Sequence, residues 1–340
     1  MIKTKKLSLT FFLISLISLF SIFPQFINLN HTKAMTKGVK RYGFLIDQFA
    51  PNSNQPGSYS CNAIEFRSSL LQIGWEESDF HYLFGVDEIT VANLRDKMEY
   101  FENTVDENDV VVVFFATHGH TFLRDILDFN SWFHEEFLEL KTPYKLLLID
   151  ACHAGEFITP LLPYVVNESF YVMSSVAAEE YAIAFTSEDA EDWSYSEPLF
   201  SGIISAHFWS EALTTDAADE NNDTYISMQE MYDFSFPKIR KIYGEVFEYE
   251  PELADFVLNN TGYIDNYPNP HVIQSLPDEF SLHSQYLDKN IDPLPGISQK
   301  EQLPIILGSI GGIVIIIAIG VPLILRKKKI KNTRKNQNES

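Results

Sequence analysis

"YKLLLIDACHAGEF" (144–157) decides the fold. Leu146 to Ile149 are all apolar, which is how a strand buried on both faces reads. The run ends abruptly in Asp150, Ala151, Cys152, His153, Ala154 and Gly155. One of the chain's only two cysteines therefore stands just past a buried strand. A second run of the same kind is "DVVVVFFATHGH" (109–120), apolar until Thr117 and then His118, Gly119 and His120. "RYGFLID" (41–47) and "SFYVMSS" (169–175) read as further strands. Helical segments separate them: 61–74, 89–105 with Thr90 as its cap, 131–140, and 199–213. Strand and helix alternate, and the strands are almost wholly apolar. That pattern predicts an α/β sandwich with a mostly parallel sheet and helices on both faces. In such sheets chemistry sits beyond the carboxyl ends of the strands.

If the 109–116 and 144–149 strands are parallel neighbours, His118 and Cys152 emerge on one edge. A thiol beside an imidazole can become a thiolate, the nucleophilic form. Backbone N–H groups of Gly119 and Cys152 would then face a developing oxyanion. Each piece alone is bland, since a cysteine after a strand is more often a small buried hydrophobe. Two such pieces, 34 residues apart and each following a buried strand, point to acyl transfer. Cys152, His118, His120 and His153 could also ligate zinc, but no C-x-x-C or H-x-x-x-H spacing accompanies them.

"VVVVFFATHGH" and "KLLLIDACHAGEF" resemble the two catalytic blocks of clan CD cysteine peptidases, the group of caspases, metacaspases, legumains and the lipid-anchor transamidase subunit. "SCNAIEFRSSLLQIGW" is similar to the first-helix block of legumains, with Asn62 where an acid is usual. "YVMSSVAAEEYA" and "LFSGIISAHFWSEAL" resemble the elements after the cysteine. The resemblance covers about 38–245 and implies a caspase-like three-layer sandwich. It implies Cys152 as nucleophile, His118 as general acid, and Gly119 and Cys152 as oxyanion donors. Asp150 would line the pocket for the residue before the cleaved bond, with Ser174 and Ser175 beside it. His153 stands as in the Cys-His-Ser-Gly of metacaspases, with Ala154 replacing serine, and reads as a solvated or structurally bonded side chain. His120 carries no assigned role. The expected partner is a protein or peptide substrate, and the chemistry needs no cofactor. A transamidase shares every step until an amine replaces water. A surface receptor that keeps the fold but not the chemistry is the reading from another class.

The formal charge is −22, from 25 basic and 47 acidic residues, so nucleic acid is not an expected partner. Seven of the basic residues lie in the last fifteen positions. Residues 1–30 read as a signal peptide or signal anchor, with Lys3, Lys5 and Lys6 before an apolar run. Residues 303–325 carry no charge and are followed by "RKKKIKNTRK". A span of that length crosses about 30 Å of hydrocarbon, and the positive-inside rule places 326–340 in the cytoplasm. The expectation is a single-pass membrane protein with its peptidase domain, 38–265, outside the cytoplasm. The proline-rich and polar 266–302 would be a stalk. "DAADENNDTYISMQEM" offers Asp219, Asn221, Asp223, Tyr225, Ser227 and Glu230 at positions 1, 3, 5, 7, 9 and 12 of a calcium loop, with Thr224 where glycine makes the turn. "SEDAEDWSYSEP" (187–198) reads as a solvated loop and a candidate processing site. The sequence leaves the oligomeric state open.

Overall fold

The computed structural model describes residues 39–50, 62–185, 202–260 and 268–291. The expected signal, processing loop, membrane span and basic tail lie outside them, as does Cys61. Among the described residues no helix is long and apolar enough to cross a membrane. The chain divides into two compact units, residues 1–39 and 40–340, and every described helix and strand belongs to the second.

The described elements run β1 (Arg41–Asp47), α1 (Asn62–Gln72), β2 (Phe80–Phe84), α2 (Val91–Thr104), β3 (Val110–Ala116), α3 (Phe133–Glu139), β4 (Tyr144–Asp150), α4 (Ala154–Ile158), β5 (Tyr171–Ser174), β6 (Ala184–Phe185), β7 (Gly202–Ile203), α5 (Ile204–Ala212), α6 (Met228–Tyr249), α7 (Pro251–Asn260), β8 (Val272–Gln274) and α8 (Ser284–Asn290). Six strands form one sheet in the order β2-β1-β3-β4-β5-β8. The first five are parallel and β8 is antiparallel. β6 and β7 make a separate antiparallel pair.

Burial explains why the central strands read as continuous apolar runs. All seven residues of β3 are 0% exposed, because both faces of the sheet are covered. On one face Phe44, Ile46, Val113, Phe115 and Ile149 join a core with Leu94, Met98 and Phe101 of α2 and the α3 aromatics Phe133 and Phe137. On the other face Phe66 of α1 stacks on Phe114 at 4.8 Å, and Phe114 meets Trp209 of α5 edge-on. Alternate residues of each strand thus feed opposite layers. Thr90 caps α2 by accepting the N–H of Asn93, as expected.

The segment expected as a stalk departs from its reading. From 268 to 291 the chain returns to the sheet: β8 pairs with β5, and Ser174 N–H donates to His271 O at 2.9 Å. Trp75 Nε1 donates to Leu282 O at 2.8 Å, and Phe280 stacks on Tyr144. Leu276, Phe280, Leu282, Leu287 and Ile291 are all buried. These apolar residues stand singly among prolines and polar groups, so no helical or strand period announces them, yet each fills a site on an already formed core.

Candidate active site

β3 and β4 pair in parallel with Ala116 opposite Asp150. The ladder runs one step further, with Thr117 N–H donating to Asp150 O at 3.2 Å. Two residues beyond that register lie His118 on one chain segment and Cys152 on the other, so both leave the sheet at the same level. Gly119 lies against the backbone of Cys152: a Cβ there would come within 1.7 Å of the Cys152 carbonyl oxygen. Only glycine lets these two loops approach so closely.

His118 is held from the β1 side. Its N–H donates to Gln48 Oε1 at 2.9 Å, and its ring meets Phe49 edge-on at 4.9 Å. Partial burial pushes its imidazole below its ordinary pKa. Cys152 is partly exposed and is a free thiol. Its Sγ donates to Ala182 O at 3.6 Å. Burial, with the negative Asp150 nearby, pushes the thiol above its ordinary pKa. Both shifts favour the neutral forms.

Asp150 is 0% exposed. Its Oδ2 accepts the Ala206 N–H at 2.7 Å, at the start of α5. Its Oδ1 is buried and has no hydrogen-bond partner of ordinary geometry among the described residues, although the Ser175 hydroxyl lies near enough to favour the charged carboxylate. Burial raises its pKa to about 7, and the charge of Asp47 adds to the rise. Asp47 ends β1 as Asp150 ends β4, and its carboxylate accepts N–H groups of Phe49, Ala50 and Ala63. Sequence reasoning missed Asp47, although "FLID" (44–47) and "LLID" (147–150) repeat one signal. It also missed Ala182, whose carbonyl no side-chain pattern could mark. Glu180 was missed as well: it is 1% exposed and ties Ala177 N–H to Asn269.

Ser174 and Ser175 are both fully buried. The Ser174 hydroxyl accepts the His271 N–H, and the Ser175 hydroxyl accepts the Ala151 N–H and donates to Ala151 O. Both hydroxyls thus bond backbone beside the site.

Loop 219–230 is folded on its own backbone. Asp219 accepts from Asp223 and Thr224, Asn221 from Asp223, Asp223 from Tyr225, and Glu230 from Asn221 and Ser227. Ser227 and Glu230 form a capping box at the start of α6. Thr224 takes φ +74°, the left-handed turn that glycine would make without strain. Among the described residues no group of three or more His, Cys, Asp or Glu is placed to hold a metal ion. The calcium expectation therefore stands on the sequence pattern alone.

The family model described as the caspase domain matches residues 29–238. The chain belongs to the caspase-domain family of clan CD cysteine peptidases. No curated protein matches the chain. The caspase-domain match spans the strands that deliver His118 and Cys152 and ends inside α6, so the strand β8 that closes the sheet lies beyond it.

Proposed function

We propose that this caspase-domain protein is a cysteine endopeptidase with Cys152 as nucleophile and His118 as its acid–base partner. The observation that carries this reading is the register of β3 and β4, which brings the two loops to one level with Gly119 against the Cys152 carbonyl. A peptide carbonyl enters between them. As the thiol proton passes to the His118 imidazole, Sγ attacks the carbonyl carbon and the N–H groups of Gly119 and Cys152 hold the oxyanion. His118 then gives the proton to the leaving amine, and the acyl group stays on sulfur as a thioester. Water, deprotonated by the same imidazole, releases the free acid and restores the thiol.

The raised thiol and lowered imidazole both disfavour charge on the two groups before substrate is present. The unpartnered Oδ1 of Asp150 favours a basic side chain before the scissile bond, since a buried carboxylate oxygen needs a donor. The charge-free 303–325 and the cations after it support a single membrane anchor, with catalysis on the far side from the cytoplasm.

The test is turnover of a peptide panel carrying Arg, Lys, Asn or Asp before the cleaved bond, by the full chain and by Cys152→Ala and His118→Ala. Cleavage after Arg or Lys, lost in both variants, is the expected result. Turnover that survives Cys152→Ala refutes the mechanism. Preference for Asn or Asp refutes the role of Asp150. Hydroxylamine in the assay identifies the acceptor: product that is always hydroxamate, never free acid, moves the chain to transamidation.

A further inference from the structure

The β3–β4 ladder stops at Thr117, before either reacting group. From there the two loops are free to diverge unless something ties them. The tie is a group of three side chains that the proposed reaction does not use. His120, two residues past His118, stacks its ring on that of His153, one residue past Cys152, with centroids 3.8 Å apart and planes 6° from parallel. His120 Nε2 donates to Glu156 Oε2 at 2.5 Å, on the helix α4 that follows the nucleophile. His153 itself sits in the left-handed region, φ +58° and ψ +25°, a conformation that costs a residue with a Cβ free energy. Its N–H donates to Glu180 O at 2.6 Å and its Nδ1 donates to Ala178 O at 2.9 Å. Tyr181 closes on the ring edge-on at 4.8 Å.

The stack is a poor metal chelate. Lone pairs lie in the ring planes, and two parallel rings aim theirs along parallel lines rather than at one point. What the arrangement does well is fix distance. A strained residue next to the nucleophile is held from one side by the 178–181 backbone and from the other by a ring belonging to the His118 loop.

We propose that His120 is a positioning residue, which latches the His118 loop to the Cys152 turn through the Glu156 carboxylate and the His153 ring. This rests on the peptidase reading of His118 and Cys152. Loss of the latch lets the imidazole and sulfur drift, and a displacement of about 1 Å between reacting groups costs roughly a hundredfold in rate. The loss falls on kcat, because none of the three side chains is needed to bind the peptide.

The experiment compares the full chain with His120→Ala, His120→Gln, His120→Phe, Glu156→Ala and the double variant His120→Ala/Glu156→Ala. Turnover is normalised to Cys152 titrated by an iodoacetamide probe, and the rate of that alkylation is the second readout. The expected result is a fall in kcat of about ten- to a hundredfold for His120→Ala, with KM within about threefold. Gln restores the bond to Glu156 and Phe restores the stack, so each recovers part of the loss. The double variant is no worse than the worse single, since both break one latch. Cys152 alkylation slows in parallel. A kcat per titrated thiol and an alkylation rate within about twofold of the parent overturn the proposal, whatever happens to thermal stability. If His120→Ala does not fold, Glu156→Ala and His120→Gln are judged by the same criteria. A parent that turns over no peptide sinks the peptidase reading instead, and the alkylation rates then decide the latch by themselves.

Discussion

Two residues at the site carry testable consequences, Gly119 through its geometry and Asp150 through its burial. Gly119 has no room for a methyl group, because the atom in its way is a backbone oxygen that cannot swing aside. Gly119→Ala therefore pushes the two loops apart, and activity per molecule falls by at least about a hundredfold while the far sheet stays intact. Kinetics beside a circular dichroism spectrum checks this: parental turnover in the alanine variant means the loops are not in contact. Asp150 gives a stability prediction whose sign follows from its environment. Its folded pKa is raised to about 7, above the ordinary carboxyl value near 4. Between those values the folded chain holds a proton that the unfolded chain has released, so this residue's contribution to stability declines as pH rises from about 4 towards 7. Asp150→Asn removes that slope, which is worth up to roughly 3–4 kcal/mol. Denaturant melts at pH 4.5 and 7.5 read it. A wild-type stability difference between those pH values that is unchanged in the asparagine variant shows that Asp150 ionises as freely as an exposed acid.

At the scale of elements, the central strands were legible because double-sided burial leaves a continuous apolar run, and their terminal residues were legible because a cysteine or histidine after such a run is out of place. The capping threonine at 90 was legible for the same local reason. What escaped was everything whose cause is distant in sequence. The two hydrogen bonds between the Ser175 hydroxyl and the Ala151 backbone join residues 24 apart, and no local pattern marks them. Asn269 and Glu180 find each other only across the folded edge. β8 is three residues long, half-buried, and set among prolines. It exists because β5 offers an open row of N–H and C=O groups; Val272 and Ile273 suit a strand, but three residues are too few to show an alternating pattern. Ending the chain after residue 267 uncovers that row and the pockets filled by Leu276, Phe280 and Leu282. The shortened protein is expected to lose several kcal/mol, on the order of one large core truncation per buried side chain, and to associate through β5. Light scattering and denaturant melts of chains ending at residues 267 and 291 check it; if the two are equally stable and equally dispersed, 268–291 is a dispensable appendage.

Over the whole molecule, the order of strands in the sheet is what joins sequence to chemistry. β3 and β4 lie at its centre, flanked by β1 and β5, so all four neighbours of the site are strand ends or the turns just after them. That placement supplies Gln48 and Phe49 from the end of β1, the 177–182 turn from the end of β5, and His118 and Cys152 from the middle. The caspase-domain match covers this central part and stops short of the closing strand. Motifs were readable where chemistry needs particular atoms; the support around them was not, because many sequences can supply a carbonyl or a packed ring.

The antiparallel β8 has one more implication. β8 is itself the edge strand on that side, and its three residues present a much shorter row of open N–H and C=O groups than β5 would. The stretch that adds this edge strand also grips, through Asn269 and Glu180, the turn beside Cys152. Whatever tugs on the chain beyond residue 291 would have to strip α8, the Leu282 and Phe280 contacts and β8 before it reached that grip.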